Sequence, residues 1–165
     1  MTEITFEQLL EIIQTARVAS HKLVIVAGQP GSGKTALLKR VASQLKMPLV
    51  NLSLMMSEKL LGLTLRQREL HTLDIARELI DAENQTGVCL DNIELLFDST
   101  LSVNPLRFLQ DISKNRIIIS SWNGTMDDDV LSFAYPGHPD FFKERIGSYP
   151  VVYCSEDKLR LNVPL

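Results

Sequence analysis

The chain has 165 residues, of which 45% are hydrophobic and 22% are charged, and its formal net charge at pH 7 is −3. This length suits one globular domain, and the composition excludes disordered and fibrous proteins. The acidic balance argues against a nucleic-acid-binding surface that covers the whole chain. No apolar run approaches the roughly 20 residues that cross a bilayer, and the start MTEITFEQLL lacks the layout of a signal peptide. We therefore expect a cytoplasmic protein without a membrane partner.

The predicted elements alternate between helix and strand. Thr5 and Gln8 have the spacing of a capping box, which predicts an N-terminal helix over about residues 5–18. KLVIVAG is short and apolar on both faces, as in a strand that is covered on both sides. Further helices are predicted through Leu37 to Leu45, from Thr64 to about Glu83, and from Asn104 to about Ile112. Further strands are predicted in LVNLSL, GVCLDN, RIIISSW and PVVYC.

A glycine-rich turn, GQPGSGKT, joins the first of these strands to the helix after it and matches G-x-x-x-x-G-K-[ST] in full. The glycines let successive backbone N–H groups point into one concavity, and the helix adds the positive end of its dipole. Lys34 supplies a charge for the β- and γ-phosphates, and the Thr35 hydroxyl is placed to ligate Mg²⁺. The candidate nucleotide-binding residues are Gly28, Gln29, Pro30, Gly31, Ser32, Gly33, Lys34, Thr35 and Ala36.

This turn and the alternating elements together predict a P-loop NTPase fold. We expect three α/β layers with a mostly parallel, five-stranded sheet. One domain should cover residues 1–165, with the nucleotide-binding core over about residues 22–155. The ligands are expected to be ATP and Mg²⁺, since the chain carries no [NT]KxD motif for reading guanine.

A carboxylate for the magnesium shell is offered by Asp91, which ends the apolar strand GVCLDN as a Walker B aspartate does. The alternative is an aspartate that begins the turn after a strand. With Thr35, Asp91 is the candidate metal ligand. A predicted strand lies between the P-loop strand and this one, and that order resembles the additional-strand branch of P-loop ATPases, which includes the AAA+ proteins.

Three more candidates for catalysis follow from that resemblance. AAA+ proteins usually carry Glu directly after the Walker B Asp, and this chain has Asn92 there. An amide can orient a water molecule but cannot accept its proton. Glu94 is a candidate substitute, or else a solvated turn carboxylate. Asn123, at the tip of the fourth predicted strand, resembles the sensor residue of AAA+ proteins, although Asn-Gly is also a tight-turn dipeptide.

Three arginines are candidates for an arginine finger that completes a neighbouring subunit's site. Arg66 and Arg68 fall in the first turn of the helix opened by Thr64, where each positive charge opposes the helix dipole by roughly 0.3–1 kcal/mol. Helix stability therefore does not account for them, and the alternative is that both are solvated. Arg145 precedes the last predicted strand, in the region where AAA+ arginine fingers arise.

Three other interpretations are structural. Cys89 and Cys154 lie in apolar, strand-like runs, which indicates buried, reduced thiols. Trp122 has no basic cluster around it, so packing is favoured over stacking on a base. Residues 127–129, all aspartates, are expected to form a solvated loop or the N-cap of a helix.

Several segments outside the P-loop also resemble one family. The runs LTLRQREL, LDNIELLFD, NPLRFLQDISKNR, WNGT and YPGHPDF, together with GQPGSGKTALL, are similar to the BrxF family, small P-loop proteins encoded with type III BREX bacteriophage-defence systems. The similarity runs from about Lys22 to Phe141. It implies a bacterial, cytoplasmic ATP-binding component of an anti-phage complex. The implied partners are other BREX proteins, further copies of the chain, or both.

Contact with DNA is a secondary expectation, more readily indirect than direct. A direct contact would use the basic residues of the early helices, Lys39, Arg40 and Lys46.

The sequence ends at Leu165, soon after the fifth predicted strand, so we expect no helical lid domain over the nucleotide. Weak intrinsic affinity, improved by self-assembly or by a partner, would follow.

Three functions fit these residues. The first is an ATPase that is slow alone and is completed in trans by an oligomer or a partner. The second is a nucleotide-gated adaptor that binds ATP without hydrolysing it, and Asn92 motivates that alternative. The third is a small-molecule kinase, ranked last because such enzymes need an arginine-rich lid and this chain offers only Arg66 and Arg68 there.

Overall fold

The computed structural model describes residues 1–83 and 86–162, so the last three residues of the expected domain lie outside the described part of the chain. The helices are α1 (Phe6–Ala16), α2 (Lys34–Leu45), α3 (Leu52–Leu60), α4 (Leu65–Asp81) and α5 (Pro105–Ile112), and short 3₁₀ helices cover Glu94–Phe97 and Ser99–Leu101. The strands are β1 (Thr2–Ile4), β2 (Leu23–Gly28), β3 (Leu49–Asn51), β4 (Gly87–Asp91), β5 (Ile117–Asn123), β6 (Thr125–Asp127), β7 (Val130–Phe133), β8 (Phe142–Arg145), β9 (Val151–Ser155) and β10 (Lys158–Asn162). Among the described residues, no helix has both the length and the apolar character that crossing a membrane requires.

The main sheet has seven strands in the order β1-β10-β9-β2-β5-β4-β3. Strands β9, β2, β5, β4 and β3 pair in parallel, and they correspond to the five strands that the sequence predicts. The expected α/β fold with a mostly parallel sheet is therefore confirmed. The expected number of five strands is wrong, because β1 and β10 add antiparallel pairs at one edge.

The two additional strands are short, which is why the sequence patterns miss them. β1 has three residues, and the five residues of β10 are exposed or only half-buried. A tight turn at Glu156 and Asp157 joins β9 to β10, and both residues have left-handed φ angles, 51° and 60°. Hairpin turns with two such residues usually carry Asn or Gly. The sequence therefore gives no turn signal at this point.

The predicted strand LVNLSL is only half strand. Leu49–Asn51 forms β3, and the chain then enters α3, which the sequence analysis missed. The Asn51 side chain accepts a hydrogen bond from the Leu54 backbone N–H and so caps the helix. Leu52, Met56 and Leu60 are buried at a spacing of four residues, the spacing of a helical face. The helical period thus begins inside a run that also looks like a strand.

Helices cover both faces of the main sheet and give the expected three layers. Every residue of β2 is buried. Leu23 and Ile25 pack with α3, α4 and α5 on one face, and Val24 and Val26 pack with α1 and α2 on the other. The predicted capping boxes at the starts of α1 and α4 are both present.

A second, three-stranded sheet of β6, β7 and β8 follows the carboxyl end of β5. Its antiparallel strands were not predicted. Asp127 ends β6, and residues 128–129 form the turn to β7, so no helix begins at the three aspartates and the N-cap alternative is wrong. Trp122 is fully buried, as its packing role predicts, and its indole N–H donates to the Ser132 carbonyl. The Phe97 ring packs edge-on against Trp122 at 4.8 Å and stacks on Phe133 at 4.0 Å.

The two cysteines are buried and form no disulfide. Burial raises the pKa of the Cys89 thiol to about 12 and that of the Cys154 thiol to about 11. Both groups are therefore neutral thiols at neutral pH, which is the state that the sequence suggests.

Gly124 joins the two sheets, and its substitution tests this junction. Its N–H donates to the Gly28 carbonyl, and a Cβ atom at this position would overlap the Ser132 carbonyl oxygen. We expect Gly124→Ala to lower the free energy of unfolding by about 1–3 kcal/mol, because backbone has to move. Urea denaturation measures it. Gly62→Ala is the control, since an added Cβ there meets nothing within 4 Å; equal stabilities of the two variants would contradict the described junction.

Candidate nucleotide-binding site

A cleft of about 590 Å³ lies at the carboxyl ends of β2, β3, β4 and β5. Its lining contains most of the candidate residues from the P-loop and all four candidate catalytic residues. They are Pro30, Gly31, Gly33, Lys34, Thr35, Ala36, Asp91, Asn92, Glu94 and Asn123, and Asn51 completes the list. The remaining P-loop candidates, Gly28, Gln29 and Ser32, contact the Lys34 side chain. The structure therefore brings together residues that are up to 95 positions apart in the chain.

The backbone of the P-loop curls back on itself before α2 begins. Gly31 and Gly33 have φ angles of 81° and 94°, which other residues adopt only at a cost. The Ser32 N–H donates to the Gln29 carbonyl, and α2 then starts at Lys34. The first N–H groups of a helix have no partner within the helix, so they suit an anion here.

Lys34 ties this loop together. Its side chain is buried, and its Nζ atom donates to the carbonyls of Gly28 at 2.9 Å and Gln29 at 2.8 Å and to the Ser32 hydroxyl at 3.3 Å. Burial lowers the pKa of Lys34, and the nearby Cys154, Glu94 and Asp91 act in the opposite direction. The Lys34 amine therefore lies at the centre of the cleft, bonded to three groups of the loop.

Thr35, in the first turn of α2, meets Asp91 at the carboxyl end of β4. The Thr35 hydroxyl donates to Asp91 Oδ2 at 2.7 Å, while Asp91 Oδ1 accepts from the Asn92 N–H at 2.9 Å. A hydroxyl and a carboxylate oxygen are the hard ligands that Mg²⁺ takes from proteins, usually one or two of them alongside substrate phosphates and water. The described residues hold no group of three or more His, Cys, Asp or Glu side chains that could bind a metal alone. The donor set therefore fits a magnesium ion that is shared with a bound phosphate.

Asn92 has a left-handed backbone, with φ of 53°. Its N–H also reaches the Ser121 hydroxyl, its carbonyl accepts from the Ser53 N–H, and its side-chain amide donates to Asn51 Oδ1 at 3.0 Å. Asn tolerates left-handed φ better than other non-glycine residues. The backbone thus provides a structural reason for an amide where AAA+ proteins usually have Glu.

Glu94 and Asn123 form a pair on the wall of the cleft. Asn123 Nδ2 donates to Glu94 Oε1, whereas Glu94 Oε2 is buried and has no hydrogen-bond partner among the described residues. Desolvation raises the pKa of Glu94, with Asp91 adding to the effect, and the Glu94 backbone, Lys34 and Asn123 oppose it. Asn123 ends β5 directly opposite Gly28 of β2, which fixes the pair beside the P-loop.

None of the three candidate arginines lines this cleft. Arg68 Nε donates to the carbonyls of Leu60 and Leu63 at 3.1 and 3.2 Å, so Arg68 binds carbonyl groups at and just after the end of α3. That contact explains a positive charge at the start of α4 without a role in catalysis. Arg145 forms an exposed ion pair with Asp129 at 2.8 Å, and Arg66 is exposed on α4.

Asn51 is the residue that the sequence analysis missed. Its Oδ1 atom accepts from both the Leu54 N–H and the Asn92 amide, so it joins the α3 cap to the cleft. Asn51 ends β3 opposite Asp91. A polar residue at the carboxyl end of a parallel strand is the signal that identified Asn123. It was hidden here because the predicted strand ran on to Leu54.

The AAA family model, described as "ATPase family associated with various cellular activities (AAA)", matches residues 24–114, which is more than half of the chain. The chain belongs to the AAA ATPase family. Members of this family are nucleotide-binding P-loop NTPases, typically dependent on Mg²⁺, and they commonly oligomerise. No curated protein sequence matches the chain. Among solved structures it is similar to PCH-2 from C. elegans, with 20% identity and a TM-score of 0.40 over 72% of this chain and 35% of that one. The chain thus spans about a third of the length of PCH-2.

The raised pKa of Glu94 gives a test of the site by stability. The unfolded chain has the ordinary pKa of 4.5, so the folded protein holds this proton more tightly. The carboxylate therefore costs stability as pH rises from the ordinary pKa through the raised one. We expect Glu94→Gln to increase the free energy of unfolding at pH 7 by about 1 kcal/mol, because no charge is then buried. The gain should disappear near pH 4.

Urea denaturation at pH 4 and at pH 7 measures this difference. Glu58→Gln is the matched control, since Glu58 lies exposed on α3 and its substitution should change the stability at neither pH. A Glu94→Gln variant that is less stable than the unchanged protein at pH 7 would contradict the buried, unpartnered carboxylate.

Proposed function

We propose that the chain binds ATP with Mg²⁺ and hydrolyses it slowly when alone, with its sites completed by a second copy or by a partner. The observation that supports hydrolysis best is the pair of Glu94 and Asn123. One carboxylate oxygen of Glu94 accepts from the Asn123 amide, and the other is buried at the cleft with no hydrogen-bond partner in the described part of the chain. A carboxylate in this state is suited to accept a proton from a water molecule.

The residues of the cleft have separate roles in nucleotide binding and hydrolysis. The P-loop N–H groups and Lys34 bind the phosphates, for which Lys34 exchanges its contacts with the loop carbonyls. Thr35 and Asp91 hold the magnesium ion, which when bound neutralises the charge that develops on the phosphates. Glu94 takes the proton from the attacking water, and its raised pKa brings its basicity closer to neutral pH. Asn123 orients Glu94 and the water.

Slow turnover follows from what a single chain does not supply to the cleft. No arginine among the described residues lines it, and the contribution of an arginine finger to phosphoryl transfer is about 10³-fold or more. Arg66 and Arg145 are exposed, so a second chain can present them. Arg68 is the weakest candidate, since it already binds the end of α3.

The resemblance of several segments to the BrxF family supports a finer proposal. We propose that residues 1–165 form one P-loop NTPase domain of a bacterial, cytoplasmic anti-phage complex. Other BREX proteins would then be the partners that complete its sites, and contact with DNA would be indirect. A BREX partner that copurifies with the chain and raises its ATP turnover would support this.

ATP turnover per chain, measured over a wide range of protein concentration, tests the ATPase. We expect turnover per chain to rise with concentration, because assembly completes the sites. Lys34→Ala should abolish it, and Glu94→Gln should lower it about 100-fold through loss of the general base. Turnover that persists in Glu94→Gln would contradict the role of Glu94. Glu94→Gln protein can also be mixed with Arg145→Ala protein or with Arg66→Ala protein. Activity should return only in the mixture whose second variant lacks the arginine that acts as the finger, because the Glu94→Gln chain then supplies that arginine to an intact Glu94 site.

The nucleotide-gated adaptor is the second candidate, and Asn92 favours it. An amide next to Asp91 cannot accept a proton, and its side chain is engaged by Asn51. If the chain is such an adaptor, Asn92→Glu should create or raise hydrolysis. Asn92→Gln is the control. Gln also has to adopt the left-handed backbone, at a cost in stability of about 1–2 kcal/mol, but it adds no carboxylate. Unchanged turnover in both variants would weigh against the adaptor.

The kinase remains the third candidate, and phosphorylation of nucleoside monophosphates would support it.

A further inference from the structure

A cluster of exposed leucines lies on α3 and α4, and we infer that it is the surface on which a second copy of the chain docks. Nine large hydrophobic side chains are exposed in the described part of the chain, and five of them lie between positions 54 and 73. They are Leu54, Leu61, Leu65, Leu70 and Leu73, with exposed fractions from 39% to 76%, and we call them the leucine face. Single exposed apolar residues are ordinary, whereas a cluster of them marks an interaction site.

The leucine face lies away from the core on both helices. On α3, Leu54 and Leu61 are about two helical turns apart, so they share one side, and the opposite side of α3 is its buried face. On α4, Leu70 and Leu73 are one turn apart and lie outside the buried face of that helix. The two helices therefore pack on the core without these leucines.

The connection between the two helices brings the leucines together. A short connection separates α3 from α4, and the helices pack side by side. Helices joined in this way are antiparallel neighbours, so residues equally far from the connection lie at one level. Leu61 and Leu65 lie at the connection, and Leu54 lies at a level between Leu70 and Leu73. The leucine face is therefore one surface that spans both helices.

A second copy fits the leucine face because the face is complementary to itself. A twofold axis that runs along the helix pair places α3 of one copy against α4 of the other, with the levels unchanged. Leu61 then meets Leu65 of the second copy, and Leu54 packs between Leu70 and Leu73 of the second copy. Because the contact is symmetric, each of these pairs forms twice.

Two charged residues at the edge of the leucine face agree with this arrangement. Glu58 lies between the two leucines of α3, Arg66 lies in the first turn of α4, and neither forms an ion pair among the described residues. In the twofold contact, Glu58 of each copy lies close to the level of Arg66 of the other. Such pairs at the rim of an interface contribute little to stability but fix its register. An Arg66 held in this way leaves Arg145 as the candidate arginine finger.

The leucine face also reaches the nucleotide cleft. Leu54 lines a side cleft of about 530 Å³, and this side cleft shares Asn51, Asn92 and Glu94 with the phosphate cleft. A second copy that packs on Leu54 therefore covers the side cleft next to Glu94. Docking should then raise ATP turnover, and in this respect the inference rests on the proposed function.

Sedimentation equilibrium of the nucleotide-free chain, over a range of protein concentrations, tests the docking surface. We expect monomers and dimers without larger species, because a twofold contact closes on itself. Leu61→Asp should raise the dissociation constant of the dimer about 100-fold or more, since it places a charge in the apolar contact twice. The variant should fold, because Leu61 is 76% exposed. Val18→Asp is the matched control, another exposed apolar residue just after a helix, and should leave the dissociation constant unchanged.

An exchange of charges tests the pairing across the twofold axis. Glu58→Arg alone and Arg66→Glu alone should each weaken dimerisation about tenfold, since like charges then meet twice. An equal mixture of the two variants should dimerise as well as the unaltered chain, because both pairs in the mixed dimer join an arginine to a glutamate. A mixture that dimerises no better than either variant would overturn this arrangement.

A chain that is monomeric at every concentration, or a dimer that Leu61→Asp leaves intact, would overturn the inference. A different protein bound to the leucine face of a monomeric chain would overturn it as well. ATP turnover of the same samples separates these outcomes from the proposed function. A dimer that forms as expected, with turnover per chain that does not depend on concentration, would contradict the completion of the sites by a second copy and leave the docking surface in place.

Discussion

The parallel pairing of β2 with β5 is the constraint on which the candidate site depends. It places Gly28 directly opposite Asn123, and the next pairings place Asn51 opposite Asp91 at the same edge of the sheet. Strands β4 and β5 are buried up to a half-buried polar residue at the end, β3 ends in the exposed Asn51, and β2 ends in the buried Gly28. Since parallel strands all end at one edge, four separate segments deliver their polar ends to one cleft. The chemistry of the cleft is therefore a consequence of strand register.

Aromatic packing beside the cleft holds in place the segments that carry its desolvated side chains. Lys34 and Glu94 are both desolvated, and desolvation disfavours both charges. Glu94 begins the 3₁₀ helix that ends with Phe97, and Asn123 follows Trp122 in β5. The rings of Phe97 and Trp122 pack together, and Phe142 of the small sheet contacts both. The small sheet thus holds the two segments that carry Glu94 and Asn123 in fixed relation.

Patterns of several residues predicted the fold well, and single residues predicted the site less well. The five parallel strands and both capping boxes follow from periodicity and spacing, which packing enforces along a whole element. β1 and β10 did not follow, because three residues, or a half-exposed edge, carry almost no pattern. In LVNLSL the strand and helix periods overlap, and the hydrogen bond from Leu54 to Asn51 decides between them. Arg68 likewise looked unexplained because its partners, the carbonyls at the end of α3, have no sequence signal.

The backbone at Asn92 connects the unusual residue next to Asp91 with the proposed role of Glu94. Left-handed φ at this position changes the direction of the chain as it leaves β4, and the Asn92 amide then lies against Asn51. Two residues later the 3₁₀ helix begins, and the Glu94 carboxylate lies at the cleft beside Asn123. A glutamate at position 92 would have to adopt a left-handed backbone and break the contact with Asn51. In this chain the carboxylate beside Asn123 is therefore the one at position 94, while Asn92 keeps its contact with Asn51.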